Sequence, residues 1–518
     1  MARLHEHEGK AVLKARGIEV PRGGVAASPE QAAKLARDLG GPVVVKIQAW
    51  TTGRKAMGGV VFAASEAEVL DAAKRLLGMK VGNFPVTHVL VEEQLKIAHE
   101  LFISLTIDDS TRRPMLLIAG GGGTGIEERA ATVSRIPCDV AAGPESAALA
   151  AAIAKAGVPE ASRSKLADAA RKMFDAGRAV EARSVEINPL VVLADGRVVA
   201  ADCRMTIDDY AVFRHPELGI EIARELDHPP TWLERIAYRI EQEDHRGTFF
   251  FAQMNTQAKP GPAQTSKGLI GFHGAGGGGS MMSMDAIAAE GFTLANFCDT
   301  SGNPSVAKVY RAARIILSQP GLVGYFGSGS GVANQEQFWS AYGLAKAFNE
   351  MKLDIPAVIR LGGNGEDRAV DILTSACRAL SAKVEGYKKT DPPARIAARF
   401  AGLVEERRAA DATLPAWKPR KPVRPAFVGS GVSIEVRGGR VWIDPAAWRS
   451  NAPAIIARSG GLLRDESGKP VATVPPEQFA TKDNELIACE VECLRDGIGG
   501  FFVELDMPEL EPAGTGAH

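Results

Sequence analysis

From Gly268 onward, short apolar stretches recur with helical spacers between them, and this alternation limits the chain more than any other feature. Leu269-Ile-Gly-Phe272, Thr293-Leu-Ala-Asn-Phe297, Leu322-Val-Gly-Tyr-Phe326 and Ala357-Val-Ile-Arg360 are each only a few residues long. Strands buried on both faces read as continuous apolar runs, and a parallel neighbour can be reached only through a crossover segment. The spacing predicts a doubly wound parallel sheet over residues 267–404.

The front of the chain, residues 1–232, reads differently. Glu6 to Arg16 and Ser28 to Leu39 have helical apolar spacing, with the Ser28 hydroxyl placed to accept from a first-turn amide. Pro42 to Ile47 and Thr87 to Val91 are short buried strands. Leu101 to Ile107 and Pro114 to Ala119 predict an antiparallel pair, and Ser184 to Leu193 with Arg197 to Asp202 predicts a hairpin turning at Ala194-Asp195-Gly196. Residues 233–266 read as a connector, 405–425 as a stiff Pro-rich basic linker, and 426–518 as a β-rich extension.

Composition narrows the function classes. With 518 residues, 45% hydrophobic and 24% charged, the chain has material for several cores. Lys plus Arg is 61 against 62 for Asp plus Glu, so general nucleic-acid binding is not expected. No apolar run approaches the roughly 18–20 residues of a membrane span, and the first ten residues are polar. Six scattered cysteines read as reduced thiols. The expectation is a cytoplasmic protein without membrane or nucleic-acid partners.

Several segments carry chemistry. Lys46 ends an apolar strand and precedes Thr51-Thr-Gly-Arg-Lys-Ala-Met-Gly-Gly-Val60, where backbone amides near Gly53 and the Arg54 side chain could meet phosphates; a plain Gly-rich turn is the alternative. Glu92 follows a buried strand and Glu100 opens the next, which as isolated carboxylates could simply be solvated. Asn188 and Asp202 can face one another across the predicted hairpin. An amide oxygen and a carboxylate converging there suit Mg²⁺, which accepts hard oxygen ligands and substrate phosphates.

In this order and spacing these residues resemble an ATP-grasp domain, and specifically the β subunit of succinyl-CoA synthetase. Leu4-His-Glu, Gly17-Ile-Glu-Val-Pro-Arg-Gly23, Val45-Lys-Ile-Gln48, Val91-Glu-Glu, Ile97-Ala-His-Glu-Leu101, Glu186-Ile-Asn-Pro-Leu-Val191 and Phe213-Arg-His-Pro216 carry the resemblance. In the second block His273-Gly-Ala-Gly276, Ala295-Asn-Phe297, Ile315-Ile-Leu-Ser318 and Val358-Ile-Arg-Leu-Gly-Gly-Asn364 continue it to about residue 400. The fold it implies is α/β: an ATP-grasp domain, a flavodoxin-like doubly wound parallel sheet and a small β-rich C-terminal appendage.

The resemblance also implies roles. Lys46, Gly53 and Arg54 would hold the phosphates of ATP or GTP, Glu92 would line the base pocket and Glu100 would lie near ribose and phosphates. Asn188 and Asp202 would ligate Mg²⁺, and Glu186 would meet a phosphohistidine. Gly327, Ser328, Gly329, Ser330 and Gly331 fall where the family binds its acid, before a helix directed at that phosphohistidine. His273 stands where the family commonly has Asn, either as a substrate contact or as a hydrogen-bonded bystander. Together with the Gly274–Ser280 loop it points to an acid other than succinate.

The implied activity is an ADP- or GDP-forming acid–thiol ligase in which phosphate passes from nucleotide to histidine to carboxylate before CoA attacks. The phosphohistidine and most of the CoA site belong to an α-type partner subunit. A direct carboxylate–amine ligase and a non-catalytic nucleotide-sensing subunit are the alternatives.

Overall fold

The computed structural model describes residues 2–51, 53–122, 132–244, 247–254, 266–329, 336–410 and 413–423, together with short strands at 432–437, 440–443, 473–474 and 501–504 and single positions between 484 and 510. The chain divides into two compact units, Met1–Pro230 and Thr231–His518. Among the described residues no helix is long and apolar enough to cross a membrane.

Among the described residues the first unit holds two large antiparallel sheets and a two-stranded ribbon, Lys80–Val81 with Phe84–Pro85. The smaller sheet runs Gly23–Ala26, Val89–Glu93, Val43–Ile47, Val60–Ala63, with the helices Pro29–Leu39 and Glu66–Leu77 against it. Ser28 caps the first of these, its hydroxyl accepting from Gln31 N. Alternation decides what each strand offers: Val43, Val45, Ile47, Val89 and Val91 turn into an apolar core with Ala36, Val69, Ala73 and Leu76, so Lys46 and Glu92 face away from it.

The larger sheet orders Ala2–Leu4, Arg204–Ile207, Ala182–Leu193, Ile97–Asp108, Arg113–Gly120, Ser134–Asp139, Gly143–Pro144. Val185 and Ile187 are buried, and the alternate residues Glu186 and Asn188 take the opposite face. The expected hairpin is present: Leu190 pairs with Ala200 and Val192 with Val198. Ala201 N donates to Pro189 O, so the register runs on toward Asn188 and Asp202.

In the second unit the parallel strands order Asn296–Asp299, Leu269–Ala275, Leu322–Gly329, Ala357–Arg360, Val384–Tyr387. In chain order this is 2-1-3-4-5, the flavodoxin-like arrangement, whose ligand crevice lies at the carboxyl ends of strands 1 and 3. Three expectations give way here. Residues 233–266 do not form a plain connector: the Trp232–Glu243 helix and the Phe250–Gln253 strand join this unit, the strand pairing antiparallel with Asn296–Asp299. Leu233, Ile236 and Ile240 enter its core because they recur on one face of an amphipathic helix.

Nor is 405–425 a bare linker. The Pro393–Ala410 helix runs into it, and Trp417 is buried with Nε1 donating to Leu317 O. The extension, finally, has helical positions between 484 and 495 as well as strands among its described residues. Its sheet orders Thr473–Val474, Arg440–Ile443, Val432–Arg437, Phe501–Glu504. Ile487, Val491, Val503 and Leu505 share the core cluster of the parallel-sheet unit.

One buried charge group joins the extension to that unit. Lys346 Nζ donates to Glu350 Oε1 at 2.5 Å and to Glu490 Oε2 at 2.7 Å, and Val503 N donates to Glu490 at 2.8 Å. Tyr310 Oη donates to the other Glu350 oxygen. Burial, with Glu350 adding to it, pushes the Glu490 carboxyl up to about 7 against the pull of Lys346. An acid whose folded pKa is raised contributes stability below its unfolded pKa and loses it as pH climbs through the folded value. Between pH 5 and 8 the wild type is therefore expected to lose about 2 kcal/mol relative to Glu490→Gln. Urea unfolding of both proteins at several pH values checks this, and parallel pH profiles would refute it.

Candidate functional site

The Glu6–Ala15 helix brings two residues that the sequence reading had not singled out, Glu6 and Lys10, one turn apart on its buried face. The helix lies close over the segment after Asp202: a Cβ on Gly9 would fall 2.7 Å from Cys203 Sγ, so any larger residue there would have to displace that thiol. Lys46 and Glu92 arrive from the small sheet, Arg54 from the glycine turn and Asp202 from the end of the hairpin.

These six side chains form one cluster. Glu6 Oε1 accepts from Lys10 Nζ at 2.7 Å and Lys46 Nζ at 2.8 Å, and Glu6 Oε2 accepts from Arg54 Nη1 at 2.5 Å. Glu92 accepts from Lys10 at 2.7 and 2.8 Å and from Lys46 at 2.9 Å. Both lysines also donate to Ala201 O. Arg54 Nη2 lies 2.7 Å from each Asp202 carboxylate oxygen. Three cations meet three carboxylates.

Burial decides the energetics. Glu6 is 1% exposed at its side chain, Lys10 4% and Lys46 12%, whereas Asp202 is 34% exposed. Charges taken out of water persist only when paired and hydrogen-bonded. Burial works against the Glu6 carboxylate, yet Lys10, Lys46 and Arg54 outweigh it and hold the group well below the usual carboxylate range. Burial likewise opposes the charge on Lys46, and Glu6, Glu92 and Asp202 overcome it, raising that lysine above its ordinary value. Gly53 opens the arginine's turn at φ +67°, a backbone conformation that favours glycine.

Beside the cluster the wall is aromatic and uncharged. His5 stacks on Trp50 at 4.6 Å and meets His88 edge-on at 4.9 Å, and Trp50 meets Phe84 at 5.3 Å. Burial, followed by the neighbouring imidazoles and Arg54, takes His5 down to about 4. On the large sheet Glu186 and Asn188 are in contact, Asn188 Nδ2 donating to Glu186 Oε1 at 3.4 Å. Glu100 stands exposed on the adjacent strand, opposite Val191. The structure thus gathers Lys46, Arg54, Glu92 and Asp202 into one group, sets Glu186 beside Asn188, and leaves Glu100 on the open surface.

In the second unit His273 pairs in register with Gly327, and Gly274 with Ser328, at the carboxyl ends of strands 1 and 3. His273 is buried between Tyr325, whose Oη is 2.6 Å from Nδ1, and Thr300, whose Oγ1 is 3.1 Å from Nε2. The Thr300 hydroxyl donates to Gly274 O, so it accepts from Nε2–H and leaves Nδ1 to accept the tyrosine proton. Burial holds the imidazole down to about 4, and hence neutral.

The bystander reading of His273 is therefore the one its hydrogen bonds favour. Gly327, Ser328 and Gly329 belong to the Leu322–Gly329 strand, because each has a parallel partner on Leu269–Ala275; among the described residues the next helix is Phe338–Glu350. Ser330 and Gly331 lie outside the described residues. The Gly274–Ser280 loop resolves into a strand end and the first turn of the Gly277–Ala289 helix. There Asp299 Oδ1 accepts from Gly276 N at 2.9 Å, and Ser283 is 2.6 Å from Ser328.

Comparison with known proteins places this geometry among relatives. A family model described as an ATP-grasp domain matches residues 3–192. The β subunit of a GDP-forming succinate–CoA ligase from Thermus thermophilus is 32% identical over 375 residues, covering 71% of this chain and 93% of that protein. Subunit beta 2 of an ADP-forming succinate–CoA ligase from Streptomyces coelicolor is 34% identical over 406 residues, covering 77% and 97%. Among solved structures, ATP citrate lyase from Methanothrix soehngenii, in complex with citrate and coenzyme A, is similar in fold. Its TM-score is 0.62 at 18% identity, over 77% of this chain and 99% of that one.

Two stability measurements probe the site. Glu6→Gln removes the acid shared by three cations, and guanidinium unfolding is expected to show a loss of about 3 kcal/mol at pH 7. Because the folded pKa of Glu6 is depressed, its contribution is present above pH 4.5 and fades as pH falls below it, so the variant should have a flatter acid limb. For His273 the folded pKa of a base is depressed. Wild type should lose stability relative to His273→Asn as pH drops from 6.5 toward 4, and the two should run parallel above 6.5.

Proposed function

The chain belongs to the succinate–CoA ligase β-subunit family, and from that premise we propose that it is the nucleotide-binding subunit of a nucleoside-diphosphate-forming carboxylate–CoA ligase. The observation that carries the reading is the convergence of Lys46, Arg54 and Asp202, drawn from different elements of the first unit, around a buried and charge-balanced core.

Lys46 and Arg54 would bind the phosphates of ATP or GTP, next to the glycine turn at Gly53. Glu92 fixes Lys46 in place, and Glu100, on the larger sheet, would lie near the sugar and phosphates. The donor set at the hairpin fits Mg²⁺: the Asn188 amide oxygen and the Asp202 carboxylate are hard oxygen ligands, and Asp202 is the most exposed member of its cluster. When bound, the ion would neutralise phosphate charge as the γ-phosphoryl group transfers. Glu186, in contact with Asn188, would orient the imidazole that accepts it.

That imidazole we assign to an α-type partner, which would also hold most of the CoA. His273 is poorly suited to the relay, since both its ring nitrogens are engaged and it is buried. The acid would bind at the strand ends bearing His273 and Gly327 to Gly329; a small carboxylic acid suits the first-turn amides of the Gly277–Ala289 helix, which follows the strand that carries His273.

The test uses the full-length chain with and without its α-type partner, γ-labelled ATP, CoA and a panel of small acids. The expected result is acid-labile label on a histidine of the partner and thioester formation only with both chains. Lys46→Ala and Asp202→Ala should each slow labelling by roughly 10²-fold or more. Thioester formed by this chain alone, or product formed with an amine and no phosphorylated protein, would overturn the reading. Unchanged turnover by Asp202→Ala would favour a nucleotide-sensing role instead.

A further inference from the structure

The placement of Arg54 has a consequence for metal binding. Its guanidinium is a bridge: Nη1 is held by Glu6 Oε2 at 2.5 Å and by Ile47 O at 3.4 Å, while Nη2 lies 2.7 Å from both oxygens of Asp202. Glu6 is immobile, being buried and tied to Lys10 and Lys46 as well. Asp202 is the open end of the bridge, with 34% of its side chain exposed against 11% for Arg54. With both oxygens facing Arg54 and Oδ1 also accepting from Cys203 N at 2.7 Å, Asp202 keeps only part of its lone-pair capacity for a metal, and a divalent ion brought to it would also face Arg54 and, behind it, Lys46 and Lys10.

Resting on the functional reading above, we infer that Arg54 makes metal binding conditional on nucleotide. Phosphate oxygens draw one face of the guanidinium off Asp202, and the released carboxylate then takes the ion that arrives with them. The anchor on Glu6 is kept throughout, so Arg54 pivots about Nη1 and stays within reach of both partners. Charge accounts for the coupling: the cluster is balanced at three against three, a divalent cation alone adds unshielded positive charge, and a metal–nucleotide pair brings net negative charge to three cations. Linkage then requires the metal to tighten nucleotide by the same factor as nucleotide tightens metal. Arg54 is thus a positioning residue for the metal ligand as well as a phosphate ligand.

The test is titration of the full-length chain with Mn²⁺ in place of Mg²⁺, counting free ion by electron paramagnetic resonance with and without ADP or GDP. For wild type the expectation is weak binding of Mn²⁺ alone, tightened roughly tenfold or more by one of the nucleotides. For Arg54→Met, Mn²⁺ alone should bind about fivefold more tightly than to wild type, and most of the nucleotide-induced gain should vanish. Adding Asp202→Asn to that variant should abolish the tightened site. Should Arg54→Met fail to fold, Arg54→Lys is expected to show a smaller gain of the same sign. Wild-type coupling with no gain in the Arg54 variants would overturn this inference and leave the functional reading standing. No nucleotide-dependent Mn²⁺ binding in wild type would overturn both.

Discussion

Glu6 accepts hydrogen bonds from three cations inside a volume that water barely enters, and the first unit is organised around that contact. No pair in the cluster would be worth much by itself, since the desolvation of two buried charges consumes most of their attraction. Shared partners change the balance: each lysine reaches two carboxylates and the Ala201 carbonyl, and Arg54 reaches two carboxylates. The same hydrogen bonds tie the first helix, the small sheet and the end of the 182–202 hairpin together. Residues suited to phosphate and metal are therefore the ones that hold those elements in place, and the cluster is assembled before any ligand arrives, with the Arg54–Asp202 contact as its most exposed link.

The second unit solves a different problem. A 2-1-3-4-5 parallel sheet leaves a crevice at the carboxyl ends of its first and third strands, and the chain fills the floor of that crevice with a neutral, doubly bonded His273. Its tail is tied in through a buried lysine shared between a helix carboxylate, Glu350, and an extension carboxylate, Glu490. The two relatives from Thermus and Streptomyces are matched nearly end to end while about a quarter of this chain stays outside those alignments, yet Val491 and Val503 pack in the same core as Ile316 and Phe348. An extension can enter a core in this way when its apolar residues cover a helix face that would otherwise meet water.

Much of this was legible beforehand because it is local. Ser28 as a cap, the Ala194-Asp195-Gly196 turn and the four apolar strands after Gly268 depend on residues a few positions apart, where backbone hydrogen bonding and side-chain period leave little choice. Lys46 and Asp202 stood out through resemblance to a family motif and through their place at strand ends. Glu6 and Lys10 did not, since an i, i+4 acid–base pair on a helix ordinarily faces solvent. The stretch 233–266 read as a connector because its Gly-Pro segment hides the short strand at Phe250, whose pairing partner lies more than forty residues away.

By itself, then, the amino-acid order determined the element types, the crossover spacing that makes the second sheet parallel, and which polar residues lie at strand ends. Tertiary structure alone decided which of those polar residues become neighbours: that Glu92 meets Lys10, that Arg54 bridges Glu6 to Asp202, that His273 is neutral, and that Glu490 lies on Lys346. The reason is range. Backbone preferences act over one turn or one hairpin, whereas a buried charge is set by whatever groups the fold brings within a few ångströms, and here those come from positions up to 196 residues apart.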